Sequence, residues 1–228
     1  MRYAREEFGI DWDIPTPRYN IAPNQIMPIF VRDEANRPVA TVARWNLIPF
    51  FEKTVGTGYL RTNARSEEVL SKPSYREPIQ KRRCLVPADG FYEWEHLHDG
   101  RLKIPWAFEL KGARPFSFAG LWERGNETRP PSYTILTTRP NALVARIHNR
   151  MPVMLSSAAA HQWLTPGPLT PETLAPFVEP FPPDEMNSYP VNPQLNSVRE
   201  DSAAVAAPAN TDDYAGDRQA SSSQGELF

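Results

Sequence analysis

The sequence predicts a single α+β domain, mainly antiparallel, with a barrel-like curled sheet and a few short flanking helices. The chain has 228 residues, which is enough for one sizeable domain with a real core. It contains 25 prolines, almost all before Gln194, and this favours short strands joined by structured turns over long helices. Strand-like runs also outnumber helical ones.

Seven runs have the alternating, β-branched or aromatic character of strands. They are residues 27–31, 39–45, 91–95, 106–110, 116–122, 133–137 and 151–155. A hairpin turn is predicted at residues 98–100, which read His-Asp-Gly. Short helices are predicted over residues 64–71, with Asn63 as a cap, and over residues 156–164, which begin with serine.

Composition separates a domain over residues 1–200 from a tail over residues 201–228. The tail is rich in Ala, Ser, Asp and Asn, and Tyr214 is its one aromatic residue before the last position. Such a segment buries too little apolar surface to order itself, so we predict a disordered tail.

Charge and cysteine content narrow the functional classes. The net charge of -2 gives no global attraction to nucleic acid, so DNA binding would need a local patch. The single cysteine, Cys84, excludes an intrachain disulfide framework, and its apolar flank predicts an inert buried thiol. His96 and His98 lack further ligands at a suitable spacing, so we predict no metal site and no cofactor.

The sequence shows no membrane or export signal. No apolar run approaches the ~20 residues that a membrane-spanning helix needs. The N-terminus also lacks the basic and then apolar layout of a signal peptide. We therefore expect a cytoplasmic protein.

Four short segments place polar side chains in apolar or turn contexts. They are Arg-Tyr-Asn-Ile-Ala-Pro at 18–23, Asn-Ala-Arg-Ser-Glu at 63–67, Gly-Phe-Tyr-Glu-Trp at 90–94 and Ile-His-Asn-Arg-Met-Pro at 147–152. Together they supply an amide, an arginine, a carboxylate and an imidazole, and this combination predicts a functional site.

Each polar residue of these segments has a chemical and a structural interpretation. Glu93 lies between two aromatic residues, and an aromatic cage would raise its pKa toward neutrality, which suits a general acid or base. The alternative is an outward carboxylate on a half-exposed strand. His148 lies between two arginines, which favour a neutral imidazole, but it could equally be a structural hydrogen-bonding group. Arg65 would reach a phosphate, whereas Asn63 would either face the N-terminus or cap a helix.

In this order, the four segments resemble the SOS-response-associated peptidase family over residues 1 to about 200. The resemblance implies a similar fold and a role in the DNA damage (SOS) response. Family members crosslink themselves to abasic sites in single-stranded DNA, and they are described as peptidases with autoproteolytic or lyase-like chemistry. It further implies that Asn63 positions a nucleophile, that Glu93 is catalytic and that His148 assists opening of the abasic deoxyribose and proton transfer.

The resemblance also implies a surface for single-stranded DNA, and we expect a monomer in the cytoplasm, associated with the nucleoid. Such a surface needs phosphate-directed cations and aromatic faces for stacking. Phe51 stands where the family usually has tryptophan. The predicted DNA-binding residues are Arg2, Asn20, Pro23, Phe51, Arg65, Trp94, Thr137 and Arg150.

The N-terminus departs from the family pattern. Members begin Met-Cys-Gly-Arg-Tyr-Ala and use the cysteine as nucleophile, whereas this chain begins Met-Arg-Tyr-Ala. Either the start is truncated or misassigned, or the cysteine is lost. In the second case the α-amine of Met1, with a typical pKa of ~7.7 to 8.0, would form only a reversible imine. The alternative function is that of a non-covalent binding module, which would shield single-stranded DNA and recruit the bacterial sliding clamp without catalysis.

The last five residues, Gln-Gly-Glu-Leu-Phe, resemble the Gln-x-x-Leu-Phe peptides that dock into the bacterial sliding clamp. Gln224 would fix the register, and Leu227 and Phe228 would fill a pocket at the end of a flexible tether. A chance match of so short a peptide is the alternative. The expected partners are thus single-stranded DNA with abasic sites and the sliding clamp.

Overall fold

A computed structural model describes residues 2–12, 16–52, 60–97, 102–209 and 214. The strands in chain order are β1 Ile26–Arg32, β2 Pro38–Trp45, β3 Asn63–Arg65, β4 Arg83–Ala88, β5 Gly90–Leu97, β6 Leu102–Leu110, β7 Phe116–Glu123, β8 Ser132–Thr138, β9 Met151–Pro152, β10 Met154–Leu155 and β11 Met186–Pro190. The helices are α1 Arg2–Phe8, α2 Pro78–Lys81, α3 Ser157–Leu164, α4 Pro171–Leu174 and α5 Ala203–Ala206. Short 3-10 turns cover Val144–Arg146, Ala175–Phe177, Pro183–Glu185 and Pro193–Asn196.

The larger sheet is curled. Its order is β10-β7-β4-β1-β2-β8-β3, with β9 beside β8, and β7 also pairs with β8 so that the sheet turns back on itself. β8 runs parallel to β2 and β3, and the other pairings are antiparallel. A smaller antiparallel sheet has the order β11-β6-β5. The predicted α+β fold with a curled sheet is therefore confirmed, with a mixed strand arrangement.

Both faces of the larger sheet carry a hydrophobic core. One face packs against α1 and α3, where the Trp163 indole Nε1 donates to the Cys84 carbonyl at 3.0 Å. The other face packs against the smaller sheet through an aromatic group in which the Phe91 ring lies 5.0 Å from Phe108 and 6.1 Å from Phe118. Because stacked aromatic rings bury large apolar areas, this contact fixes the smaller sheet on the larger one.

Gly120 permits the closest approach within the larger sheet. It pairs with Cys84 on β4 and with Ile135 on β8, and a Cβ atom at position 120 would lie 2.7 Å from the Cys84 Sγ. Cys84 is fully buried, and burial raises the pKa of its thiol. The prediction of a buried, inert cysteine agrees with this position.

One of the two predicted helices is confirmed and the other is wrong. α3 covers residues 157–164, and the Ser156 side chain accepts from the Ala159 amide as its N-cap. Residues 63–65 instead form β3, followed by turns. β8 offers these residues a pairing partner, and the Ser66 amide continues the contact by donating to the Thr137 carbonyl at 2.9 Å. Tertiary pairing thus overrides helix propensity, so Asn63 is a strand residue and not a helix cap.

Six of the seven predicted strand runs lie within single strands of the structure, whereas the run at 151–155 is divided into β9 and β10 by Val153. The sequence did not predict β3, β4, β11 or α1. The predicted turn at residues 98–100 lies outside the described residues, but β5 and β6 do pair as an antiparallel hairpin up to Leu97 and Leu102.

Described structure continues beyond residue 200. α5 covers Ala203–Ala206, Val205 is fully buried, and the Tyr214 hydroxyl donates to the Val191 carbonyl. The predicted clamp-binding residues Gln224, Leu227 and Phe228 lie outside the described residues. In the described part of the chain, every helix is too short or too polar to cross a membrane.

Candidate functional site

Glu93 lies on the face of β5 that is directed at the larger sheet. It pairs with Trp106 of β6, and paired residues of antiparallel strands share a face. Tyr92 and Trp94 lie on the opposite face, where they pack against buried Val191 and its neighbours. The aromatic cage predicted from the two sequence neighbours is therefore wrong, because successive strand residues alternate between faces.

Burial nevertheless perturbs Glu93 as predicted. Desolvation raises the pKa of its carboxyl from 4.5 to about 7, and the nearby His148 partly offsets this rise. The Glu93 side chain is 22% exposed, and its Oε1 lies 3.6 Å from His148 Nδ1. At neutral pH, Glu93 is thus present in both its protonated and its ionised form, as a general acid or base requires.

The His148 ring is held by the turn that follows it. Nδ1 accepts from the Arg150 amide at 3.2 Å and lies 3.0 Å from the Arg150 carbonyl oxygen. A neutral ring accepts the amide proton at Nδ1 and carries its own proton on Nε2. A protonated Nδ1 faces both the carbonyl and Glu93. At 3.6 Å, Glu93 and His148 influence each other electrostatically but are too far apart for a direct hydrogen bond.

Arg150 connects this pair to β3 and β8. Its Nη1 and Nη2 donate to the two Glu67 carboxylate oxygens at 2.7 and 2.8 Å, and Nη2 also donates to the Thr137 carbonyl at 2.7 Å. The hydrogen bonds from Arg150 hold the pKa of Glu67 below its usual range. Among the described residues, the buried Arg150 Nε has no hydrogen-bond partner. The guanidinium is thus fixed by a fork-to-fork contact that a more flexible lysine would not reproduce.

Asn63 and Arg65 stand on the exposed face of β3. The intervening Ala64 is buried in the core, so the two flanking side chains point together toward solvent. Arg65 pairs with Thr137, the residue whose carbonyl binds Arg150. In the described part of the chain neither side chain has a hydrogen-bond or ion-pair partner, so both are open to a ligand.

Contacts therefore join six of the residues predicted from the sequence into one cluster. Glu93 meets His148, the His148 turn contains Arg150, and Arg150 reaches β8 beside the two β3 side chains. We call this the β3–His148 cluster. Its predicted members are Asn63, Arg65, Glu93, Thr137, His148 and Arg150.

Asn20 and Trp94 lie on the other face of the smaller sheet. Asn20 is buried, and its amide donates to three backbone carbonyls of residues 195–200. The Trp94 indole donates to the Asn196 side chain at 2.7 Å. The structure thus gives both side chains internal partners rather than open surfaces.

The remaining predicted DNA-binding residues lie on the surface. Phe51 is 49% exposed and meets the exposed Phe50 edge to face at 5.4 Å. Pro23 is exposed in the turn before β1. Arg2 is exposed on α1 beside Glu6, and the contacts described for α1 do not reach Glu93 or His148. Met1 lies outside the described residues.

Sequence reasoning missed three residues around the site. Glu67 lies in the segment at 63–67 and was not predicted as a site residue, although a carboxylate near a predicted arginine can indicate an ion pair. Trp106 covers the Glu93 face, which only the register of β6 reveals. Asp201 binds residues 18–20 across a long sequence separation, which no local pattern indicates.

The described residues contain no cluster of His, Cys, Asp or Glu able to hold a metal ion.

Comparison with protein families identifies the chain. A family model described as SOS response associated peptidase (SRAP) matches residues 3–198. The chain belongs to this family. The family predicted from the four segments is therefore confirmed, and the whole β3–His148 cluster lies inside the matched range.

Several SRAP relatives have similar sequences. The abasic site processing protein YoqW of Bacillus subtilis (strain 168) is 40% identical over 204 residues, covering 86% of this chain and 90% of the relative. YoaM of the same organism is 38% identical over 212 residues, covering 90% and 92%. The abasic site processing protein HMCES of Rattus norvegicus is 28% identical over 240 residues, covering 88% and 67%.

Solved structures share the fold. A crystal structure of a protein from Bacteroides thetaiotaomicron has a TM-score of 0.68 at 29% identity, covering 85% of this chain and 82% of that one. A crystal structure from Bordetella bronchiseptica has a TM-score of 0.70 at 25% identity, covering 84% and 95%. The SRAP sequence pattern and the curled fold thus agree.

Proposed function

We propose that this protein recognises abasic sites in single-stranded DNA and processes them as DNA damage. Support comes from membership of the SRAP family and from relatives named abasic site processing proteins. The observation that carries the proposal is the Glu93–His148 pair, with the Glu93 pKa at about 7, which Arg150 connects through the Thr137 carbonyl to the strand pairing of β3, where the Asn63 and Arg65 side chains are open.

The pair fits the first chemical step at an abasic site. A closed abasic deoxyribose opens when its C1′ hydroxyl loses a proton, the ring oxygen gains one and the bond between C1′ and the ring oxygen breaks. An aldehyde remains at C1′. Groups that exchange protons near neutral pH accelerate such a step. Ionised Glu93 would take the hydroxyl proton, and protonated His148 would supply one to the ring oxygen.

The aldehyde would then meet an amine. Attack by an α-amine at C1′, followed by loss of water, gives an imine, and a neighbouring thiol would add to the imine carbon to close a stable ring. The amine of Met1 and a cysteine placed before Arg2 are the two versions to compare. With Met1 alone, the imine remains reversible. The activity would then be transient and lyase-like, without a durable crosslink.

Arg65 and the Phe50–Phe51 pair would bind the strand. Arg65 offers an unpaired guanidinium to a phosphate, and the half-exposed Phe50 and Phe51 rings offer faces for base stacking. A local surface of this kind is compatible with the net charge of -2, because the attraction arises at short range.

Denaturing gel analysis with abasic single-stranded DNA tests the proposal. We would compare the protein that begins Met1-Arg2, with and without borohydride, and a version with Cys-Gly inserted before Arg2. We expect a borohydride-dependent adduct in the first case and a heat-stable adduct in the second, both reduced by Glu93→Gln. Binding without adduct in either version would favour the alternative, a non-covalent shielding module. Absence of any preference for abasic DNA would contradict the proposed function.

A further inference from the structure

Asp201 lies outside the range matched by the SRAP family but binds one of the four sequence segments. Its Oδ1 accepts from the backbone amides of Tyr19 at 2.6 Å and Asn20 at 2.7 Å. Its Oδ2 accepts from Arg18 Nε. Burial acts to raise the pKa of Asp201, but these hydrogen bonds outweigh it and hold the pKa below its usual value. Asp201 is therefore an ionised acceptor for three consecutive residues.

The contact is reciprocal. The Asn20 side chain in turn donates hydrogen bonds of 3.0 to 3.1 Å to three carbonyls of the C-terminal segment, those of Leu195, Ser197 and Glu200. The two segments are thus bound by backbone and side-chain groups from both sides, although about 180 residues separate them in sequence.

Two further contacts connect the hydrogen-bonded segments, residues 18–20 and residues 195–201, to the candidate site. Arg18 Nη2 donates to the Gln25 side chain at 2.7 Å, which closes the loop over residues 18–25. The Tyr92 hydroxyl donates to the Tyr19 carbonyl at 2.9 Å, and Tyr92 immediately precedes Glu93 on β5. A shift of the loop would therefore also disturb a neighbour of the proton-transfer pair.

The C-terminal segment is itself anchored. Leu195 and Val205 are buried against the smaller sheet, and the Trp94 indole holds Asn196. Buried apolar side chains fix the backbone on either side of Asp201. The carboxylate is therefore presented from a packed support.

The held loop presents apolar side chains outward. Tyr19 and Ile21 are each 37% exposed, and Pro23 is exposed beside them. Side chains of this kind stack on or wedge between nucleobases when a backbone holds them in place.

We infer that Asp201 is a positioning residue that holds residues 18–23 in the conformation that contacts a single DNA strand. The inference rests on the proposed function. It also makes the Asp201 side chain a support of the DNA-binding loop from outside the matched family range. Asp201 would act through Tyr19, Ile21 and Pro23 and would not touch DNA itself.

The sign of the effect separates positioning from simple electrostatics. Removing a carboxylate from a protein that binds a polyanion should strengthen binding through the long-range field. Removing a carboxylate that organises a binding loop should weaken it. Glu200 is the matched control, because it is the adjacent residue and its side chain is exposed.

The test compares Asp201→Asn with Glu200→Gln in the full chain. The asparagine has the same shape, but it loses the charge and turns an amide N–H toward Arg18 Nε. We would measure hydrogen exchange at the Tyr19 and Asn20 amides without DNA. The affinity for an undamaged fluorescent single-stranded oligonucleotide would be measured by anisotropy.

For Asp201→Asn we expect exchange at the two amides to rise by about tenfold, as for loss of charge-assisted hydrogen bonds. We expect the affinity to fall by about threefold or more, and a threefold loss corresponds to about 0.7 kcal/mol because each tenfold step is worth about 1.4 kcal/mol. Exchange at Gly120 in the centre of β7 should be unchanged. Glu200→Gln should leave exchange unchanged and bind equally or more tightly.

Unchanged exchange at Tyr19 and Asn20, or tighter DNA binding by Asp201→Asn, would overturn the inference. Faster exchange throughout β7 would also overturn it, because the role would then be global stability. If the unmodified protein fails to bind the oligonucleotide, the proposed function fails, and the exchange comparison alone decides whether Asp201 holds the loop.

Discussion

Glu93 shows how burial gives a carboxylate a pKa that suits proton transfer. On an exposed strand its pKa would remain near 4.5, and it would be ionised at neutral pH. The register of β5 and β6 places it opposite Trp106 and toward the larger sheet, where desolvation raises its pKa to about 7. The same burial disfavours the ionised form and so costs stability above neutral pH.

Replacement of Glu93 by Gln should change the pH dependence of stability. The folded-state pKa of Glu93 exceeds its unfolded value, so the folded state binds the proton more tightly. The wild type should therefore lose stability as pH rises from about 4.5 to about 7, by up to about 3 kcal/mol, and then level off. Glu93→Gln lacks this loss, so its advantage over the wild type should grow through that window.

Urea unfolding of both proteins at pH 5 and pH 8.5 measures this difference. The contributions of the other titrating groups to the free energy of unfolding are shared by the two proteins and cancel in the comparison. Glu200→Gln is the control, because its side chain is exposed and should show no such growth. A stability difference between Glu93→Gln and the wild type that is the same at both pH values would mean that Glu93 is not desolvated.

At the level of elements, the site depends on contacts between strands that are distant in sequence. β3 reaches the site by pairing with β8, and the His148 turn reaches it from the other side. Glu67 and Arg150 tie the two together through a two-point ion pair, which also uses the Thr137 carbonyl of β8. The relative position of Asn63 and His148 thus depends on this pair.

A double-mutant cycle on Glu67 and Arg150 should show strong coupling. Arg150 is 21% exposed, whereas Glu67 is 56% exposed, so removing Glu67 leaves the more buried partner unpaired. We expect a coupling energy of about 1 to 2 kcal/mol from urea unfolding of the two alanine variants and their double mutant.

The adjacent pair Glu68 and Lys72 provides the matched control. It is an ion pair of the i,i+4 type at 2.6 Å, and its cation Lys72 is 48% exposed, compared with 21% for Arg150. Such a pair should couple by only about 0.3 to 0.5 kcal/mol. Equal coupling in the two cycles would show that Glu67 and Arg150 form an ordinary surface ion pair.

The sequence predicted the fold class because strand periodicity and proline density are local properties. Three of the four short segments contain five members of the β3–His148 cluster, and the sixth, Thr137, was predicted from the family resemblance. The prediction failed where a distant partner decides the outcome. Residues 64–71 contain good helix formers, yet β8 draws residues 63–65 into a strand.

The same cause explains the other failures. The environment of Glu93 depends on the β5–β6 register and on which face meets the larger sheet, so its sequence neighbours were the wrong partners to consider. Residues 201–209 are held in place by partners such as Arg18 and Val191, and the amino-acid composition of the tail does not predict these partners.

At the scale of the whole molecule, the tail would link the proposed DNA site to the sliding clamp, the partner predicted from the last five residues. The last described residue, Tyr214, is buried and bound to Val191. From there to Gln224 a chain reaches at most about 35 Å, at roughly 3.5 Å per residue. A clamp held by the last five residues would therefore lie close to the domain that we propose binds DNA.

Substitution of both Leu227 and Phe228 by Ala should abolish capture by an immobilised bacterial sliding clamp. Two apolar side chains that fill a pocket each contribute about 1.5 to 3 kcal/mol, so the loss should exceed about 100-fold in affinity. Glu226→Ala is the control, because position 226 faces no pocket in the proposed motif. Single-stranded DNA affinity should be equal in all three proteins, since the DNA surface lies in the domain. Equal capture of the double variant and the wild type would show that the terminal match arose by chance, and the proposed damage function would then operate without the clamp.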